Sequence, residues 1–299
     1  MQTDRFDPGL IRKISMKNVQ LVSVHGGHSG QFCSHAENSL EEVIQSYIAH
    51  GFSWVGITEH APGSRQDLLY FDQQQLGFTP ESLLERFSRY IVECRRLQKL
   101  YADRITIFTA METETYSGYE QFIPSLMNRF HPDYLVGSVH FVGDINFDSS
   151  REGYARAAAR QGGIDNLYCQ YFDDQYAMIT TLKPSVVGHF DLIRIFDPEY
   201  KERLQKPEII KRIERNLQLI KDLDLIMDFN LRSLLKGADE PYISAPILQR
   251  AKEIGIAVVP GDDSHGVVNI FINMERGISI LQSHGFDTNW LQPRRIEYP

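Results

Sequence analysis

Apolar runs of strand length recur along the chain at 20–25 (QLVSVH), 53–60 (SWVGITEH), 104–112 (RITIFTAME), 133–141 (DYLVGSVHF), 185–191 (SVVGHFD), 224–230 (DLIMDFN) and 255–263 (GIAVVPGDD). Most are rich in Val, Ile and Phe without strict polar alternation, the pattern of strands covered on both faces, as in a parallel sheet. Between them the period changes to that of a helix. Residues 39–50 place Leu40, Val43, Ile44, Tyr47 and Ile48 on one face, with Asn38 or Ser39 as N-cap and Gly51 as the stop. The segment 80–102 has Thr79 as N-cap, Pro80 at the first helical position and Glu in the first turn. Further helices are expected at 119–130, 164–181, 207–222 and 244–254. Strand and helix alternate throughout, which predicts an α/β fold with a parallel sheet. Seven repeats favour a closed or nearly closed barrel over an open sheet.

The chain has 299 residues, 42% hydrophobic and 23% charged, enough for one large α/β barrel with a substantial core. No low-complexity stretch, internal repeat or Pro/Gly/Ser linker divides it. We expect one domain over 1–299, with 1–18 as an N-terminal extension and 266–299 as a C-terminal closing segment. Longer connections at 61–79, 142–163 and 231–243 each follow a strand, so in a barrel all three cover the same end. A net charge of −8 argues against a nucleic-acid partner held by a broad basic surface. The first twenty residues lack a signal-peptide core, and no later run reaches the roughly 18 apolar residues of a membrane span, so no membrane partner is expected. Cys33, Cys94 and Cys169 are widely spaced and odd in number, which suits a reducing compartment, and a cytoplasmic location is expected. Nothing in the pattern speaks to oligomeric state.

The chemistry lies where the strands end. His25 ends the first, with His28 and His35 just beyond. Glu59-His60, Glu112, His140, His189, Asn230 and Asp263-x-His265 end the others. In α/β barrels the carboxyl ends of the strands converge on one rim and carry the chemistry. Seven of the ten histidines fall there, with the carboxylates Glu112 and Asp263. Imidazole and carboxylate bind divalent transition metals, and nine such groups exceed the three or four protein ligands of one catalytic ion, so more than one ion is expected. His50, His131 and His284 lie in helix or loop contexts and read as structural or solvated. Cys94 and Cys169 read as small core residues, whereas Cys33 adjoins the site and is either a ligand or a packed thiol.

These residues resemble the polymerase and histidinol phosphatase (PHP) superfamily, and within it the histidinol-phosphate phosphatases. FCSHA (32–36), GITEHAP (56–62), METETYSGYE (111–120), GSVHF (137–141), GHFDLIR (188–194), DEPY (239–242) and GDDSH (261–265) follow the family's motif order from Val22 to about His265. The resemblance implies a distorted (β/α)7 TIM-like barrel with a trinuclear centre of zinc, iron or manganese. Carried over by position, His25, His28, Glu112 and Asp263 would hold one ion. Glu112, His140 and His189 would hold a second, with Glu112 bridging, and His35, His60 and His265 a third. Arg194 and Arg232 match arginines that contact phosphate. Glu112, Asp263, His265, Arg194 and Arg232 would thus carry catalysis on a small phosphorylated substrate, histidinol phosphate, through attack by a metal-bound hydroxide. One departure stands out: the family's His-x-His is HGGH here, with seven residues from His28 to His35. Two glycines let the backbone loop out so that both imidazoles reach one metal. The same fold and metals would also serve a nucleotide, a phosphodiester or phosphotyrosine. An amidohydrolase would call for a bridging lysine near the fourth strand, which ends in His140 instead. A metal-binding or regulatory barrel without turnover is disfavoured by the complete ligand set.

Overall fold

The structure is a computed structural model that describes residues 19–298; the extension expected at 1–18 lies outside the described residues. Each of the seven apolar runs forms a strand. β1 (Leu21–Ser23), β2 (Phe52–Ile57) and β3 (Thr106–Thr109) make a parallel sheet in that order. A second parallel sheet runs β4 (Met111–Glu112), β5 (Leu135–Gly137), β8 (Val186–Val187), β9 (Ile226–Asn230), β10 (Ala257–Gly261). The short strands β6 (Phe141–Val142) and β7 (Ile145–Asn146) pair antiparallel as a hairpin beyond β5.

The division falls inside one run, 104–112, at a single residue. Ala110 N donates to Ile57 O (2.8 Å), whereas Met111 N donates to Tyr134 O (3.2 Å), so the chain changes partner from β2 to β5 between neighbouring residues. The seam is crossed higher up by Glu112 N to Glu59 O (3.1 Å) and Ala61 N to Glu112 O (2.8 Å). Opposite it, Val24 N to Pro260 O and Asp263 N to His25 O, both 2.9 Å, tie the first strand to the last. The strands therefore follow one another around a distorted barrel, but among the described residues no continuous closed ladder forms. Inside, the Tyr134 hydroxyl crosses between the sheets to donate to Val24 O. Gly56 makes room for it, since a Cβ there would lie 1.6 Å from that oxygen.

Helices cover the outside. α1 (Leu40–Ala49) carries a Ser39–Glu42 capping box and α3 (Pro80–Leu100) is capped by Thr79, each with its apolar stripe buried as the period requires. α4 (Tyr119–Phe130), α6 (Ile164–Leu182), α8 (Pro207–Asp222) and α10 (Ala245–Ile254) fall where expected. The long connections are less open than the sequence suggested. They hold α2 (Phe71–Gln75), α5 (Arg151–Gln161) and α9 (Arg232–Leu235). α5 starts at Ser150, whose hydroxyl accepts Gly153 N at 3.0 Å, and buries Tyr154, Ala157 and Ala158. α7 (Tyr200–Arg203) and α11 (Met274–Ser283) complete the set. At the amino ends of the strands the C-terminal residues form a strap. Trp290 Nε1 donates to Gln20 O (2.7 Å), Ile296 N to Asp133 O (2.8 Å), Ser185 Oγ to Arg294 O (2.7 Å) and the Arg294 guanidinium to Leu223 O and Asp224 O. The other end is left for the site.

Candidate metal centre

Glu112, on the two-residue strand β4, stands at the middle of the carboxyl-end rim. Its two oxygens face different imidazoles. Oε1 lies 2.9 Å from His189 Nε2 and 3.3 Å from His140 Nε2, and accepts the Ser138 hydroxyl at 2.7 Å. Oε2 lies 3.1 Å from His60 Nδ1, 3.4 Å from His25 Nε2 and 3.7 Å from His28 Nε2. Asp263 completes the first side, with Oδ1 3.3 Å from His28 Nε2. Its backbone takes a left-handed φ of +45°, costly for a non-glycine residue and found where the surroundings impose it. Here the neighbouring Asp262 is pinned by the hydroxyls of Tyr47 and Ser23, which turns Asp263 inward.

The HGGH segment packs tightly. Gly26 N donates to Gly56 O (2.9 Å) and His28 N to Ser264 O (2.8 Å). A Cβ on Gly26 would lie 2.3 Å from Gly56 O and one on Gly27 2.6 Å from a Val43 methyl. The extra residue is accommodated between strands, and His25 and His28 stay together, with ring centroids 6.1 Å apart.

Burial alone would raise the Glu112 carboxyl, yet His25, His60 and His140 around it hold it well below the usual carboxylate range. Against the lowering effect of burial, Asp263 and Glu59 push His28 up to about 9. The carboxylates thus demand positive charge, which protons on imidazoles or divalent cations provide. Several donor atoms face inward without hydrogen-bond partners although buried: His25 Nε2, both nitrogens of His28, and His60 Nδ1. Buried polar atoms are normally paired, and orphaned imidazole nitrogens beside carboxylates are the donor chemistry of a divalent metal. Among the described residues, four groups bring their donor atoms within 4.8 Å of one another: His25, His28 and Asp263; His25, Glu112 and His189; His60, Glu114 and His140; and His28, Cys33, His60 and His265.

The expected first and second ligand sets are therefore gathered around Glu112. Of the third, His60 and His265 lie in the cluster, with Cys33 beside them. His35 stands at the edge, its ring 4.9 Å from His265 and 5.6 Å from His60. It is 38% exposed and its Nδ1 lies 3.5 Å from Asp72 Oδ2. Arg232 lines the same cavity of about 370 Å³, and its Nη1 donates to Asp263 O at 2.9 Å. Arg194, expected beside it at the phosphate, does not line this cavity. It is buried, donates to Asp191 and to the carbonyls of Glu240 and Pro241, and lies between the rings of Tyr200 and Tyr242. His50, His131 and His284 stand at the C-caps of α1, α4 and α11.

Sequence reading missed three members. Glu114 is two residues beyond Glu112, and its Oε2 lies 2.9 Å from His140 Nδ1 while its Oε1 lies 3.2 Å from His60 Nδ1. Asp228 sits fully buried inside β9, its Oδ2 2.8 Å from His25 Nδ1. That contact places the His25 proton on Nδ1 and aims the Nε2 lone pair at Glu112 and Asp263, the role carboxylates play behind metal-binding imidazoles. Lys236 joins Arg232 in the cavity wall.

A family model described as the PHP domain matches residues 26–231, well over half of the chain. The chain belongs to the PHP domain family. It is 36% identical over 268 residues, 88% of this chain and 87% of the relative, to a probable histidinol-phosphatase of Schizosaccharomyces pombe. It is 28% identical over 280 residues, 82% of this chain and 84% of the relative, to the histidinol-phosphatase of Saccharomyces cerevisiae. Among solved structures, a putative histidinol phosphatase from Listeria monocytogenes superposes with a TM-score of 0.76 at 25% identity, over 85% of this chain and 99% of that one. The Lactococcus lactis histidinol phosphate phosphatase, solved with zinc, L-histidinol and phosphate, superposes with a TM-score of 0.69 at 18% identity, over 90% and 95%. The latter likeness speaks to the fold, a distorted barrel shared across the PHP family. Clustered imidazoles and carboxylates make the rim of this PHP protein a divalent-metal site. None of its described helices is long and apolar enough to cross a membrane.

Proposed function

We propose that this chain is a metal-dependent phosphatase that hydrolyses histidinol phosphate to histidinol and phosphate, in the cytoplasm. The observation that carries the reading is the placement of Glu112, whose two oxygens each face a separate set of imidazoles, as a carboxylate bridging two ions requires. Relatives named histidinol-phosphatase, matched over most of both chains, support the choice of ester. So does the cavity of about 370 Å³, of the size that takes a small molecule.

Three ions, zinc among them, fit the donor set. His25, His28, Glu112 and Asp263 would hold the first, Glu112, His140 and His189 the second, and His60 and His265, with His35, the third. When bound, such ions neutralise phosphoryl oxygens and lower the pKa of water to about 7. The chain's own residues do the rest. Asp228 and Glu114 orient His25 and His140 through their Nδ1 atoms. Arg232 presents a guanidinium whose planar fork matches phosphate oxygens, and Lys236 adds a second cation on the same wall. Asp263 and His265 close the rim from the last strand. The whole of 1–299 would act as one domain, with 1–18 an extension and 266–299 closing the barrel.

The test is phosphate release from histidinol phosphate against a panel containing a nucleotide, a phosphodiester and phosphotyrosine, with Glu112→Gln as control. Strong preference for histidinol phosphate, lost in the control, is the expected result. Metal-dependent release led by another member of the panel would retain the chemistry and overturn the substrate.

A further inference from the structure

The charges of the cavity wall are segregated. Arg232, which opens α9, and Lys236, its C-cap, supply the cations, while Asp148, in the turn between β7 and α5, faces the cavity from another element. Most carboxylates here are already engaged. Glu112, Glu114 and Asp263 face imidazoles, and Asp72 accepts the Ser34 hydroxyl and lies beside His35. Asp148 differs: its Oδ1 accepts from Asn146 Nδ2 at 2.8 Å, while among the described residues Oδ2 has no hydrogen bond and no basic side chain lies within 4.0 Å.

Asp148 is also held in register with the metal centre. The Asn146 amide that donates to Asp148 also donates to the carbonyl of His140 (3.2 Å), and Phe147 N donates to the same carbonyl (3.1 Å). The Asp148 charge is felt by Tyr70, on the connection 61–79, and by Lys236 and Tyr242, on the connection 231–243. It is thus an anion held by one hydrogen bond, with the Lys236 ammonium in range but beyond ion-pair distance, facing the space in front of the ligands.

We propose that Asp148 is a specificity-determining residue that receives the ammonium group of a substrate carrying an amine next to its phosphorylated carbon. The inference rests on the proposed phosphatase reading and names what distinguishes histidinol phosphate from a plain monoester at that site. With phosphate drawn to the ions and Arg232, an ammonium a few bonds away remains inside the cavity, and Asp148 is the acid of that wall that makes no direct ion pair among the described residues. A charge-assisted hydrogen bond of this kind contributes to binding in the ground and transition states alike, so its loss acts mainly on KM.

The experiment compares kcat/KM for histidinol phosphate and for its deamino analogue, imidazolylpropyl phosphate, in the wild type and in Asp148→Asn with metal supplied. The wild type is expected to prefer the amine ester, and Asp148→Asn to reduce that preference about 10- to 100-fold, chiefly through KM. A preference within about twofold of wild type in the variant, including an equal fall for both esters, overturns the role of Asp148, as does a wild type indifferent to the amine. If the wild type leaves histidinol phosphate untouched while hydrolysing another ester, the substrate reading itself fails, and it does so in the wild-type arm.

Discussion

His60 and Glu112 meet twice: their backbones form an isolated parallel bridge across the seam between the two sheets, and His60 Nδ1 lies 3.1 Å from Glu112 Oε2. The point where the barrel is least continuous is therefore the floor of the metal centre. His25, His28 and His60 follow strands of the three-stranded sheet, while Glu112, His140, His189, Asp263 and His265 lie on or follow strands of the other. An ion held by both groups would fasten the two arcs beyond the few backbone hydrogen bonds that cross the seam.

Metal removal should accordingly cost stability as well as activity. A ligand at a hundredfold excess over its Kd stabilises by about 2.7 kcal/mol, which in a chain of this size corresponds to a shift of several degrees in Tm. Differential scanning calorimetry with and without a chelator, followed by re-addition of zinc or manganese, measures this directly. We expect a reversible fall of about 5–10 °C. An unaltered Tm in protein shown to have lost its metal would mean that the ions do not bridge the two sheets.

Glu112→Gln keeps the shape of the side chain and removes the charge on which five imidazoles converge. Loss of a bridging carboxylate should reduce kcat by at least about a thousandfold, roughly 4 kcal/mol in the barrier, and lower the metal content. Elemental analysis beside phosphate release reads both. Full metal content with near-normal turnover would remove Glu112 from the centre.

How much of this was legible beforehand depended on which physical signal each residue leaves. The seven strand-forming runs and six of the helices announce themselves through period and caps, as Ser39 and Thr79 do for α1 and α3. α5 did not, because its surface is polar and its buried face is carried by Tyr154 and alanines, a weak apolar stripe. The ligands at strand ends were legible because a His or Glu closing an apolar run is conspicuous. Glu114 escaped because the reading stopped at the end of the strand, although residues two apart in extended chain share a side. Asp228 escaped because it lies within an apolar run, where the charge itself was the available clue. For Arg194, a motif position could not reveal that the surrounding carbonyls and rings claim its guanidinium.

Asp228→Asn tests the support behind His25. The aspartate accepts from His25 Nδ1 at 2.8 Å, and the amide would serve that role only poorly while presenting a donor of its own. Metal affinity is expected to fall about 10- to 100-fold, the usual effect of removing such a partner, with the fold retained. Competition titration against a chromophoric chelator gives the number, and an affinity within threefold of wild type would show that His25 needs no such orientation.

The two arginines should separate. Arg232 lines the cavity, so Arg232→Ala is expected to lower kcat/KM about a hundredfold through lost phosphate contact while changing Tm little. Arg194 is 5% exposed and donates to two backbone carbonyls and Asp191; Arg194→Ala leaves the buried Asp191 carboxylate without its cation and removes the guanidinium packed against the Tyr200 and Tyr242 rings. Its main effect should be a lower Tm. Paired measurement of Tm and kcat/KM on both variants decides the matter, and a stable Arg194→Ala protein with a hundredfold loss in kcat/KM would return that residue to the phosphate.

A last prediction concerns stability away from the site. Asp174, on α6, accepts Gln170 Nε2 at 2.8 Å, but burial raises its carboxyl to about 6, with Asp173 adding to the effect and Gln170 opposing it. A carboxyl whose folded pKa exceeds its unfolded value near 3.9 binds its proton more tightly in the fold. Its stabilising contribution is complete below about pH 4 and is lost as the pH rises through 6, so at neutral pH the ionised group opposes folding. Asp174→Asn removes the ionisation while keeping an acceptor for Gln170. The variant should be more stable than wild type at pH 7.5, by on the order of 1–2 kcal/mol after allowance for the solvent at its edge, and the difference should shrink toward pH 4.5. Urea denaturation of both proteins at the two pH values checks it, and a gap that is absent at pH 7.5 or widens toward pH 4.5 would show that Asp174 titrates as an ordinary exposed carboxylate.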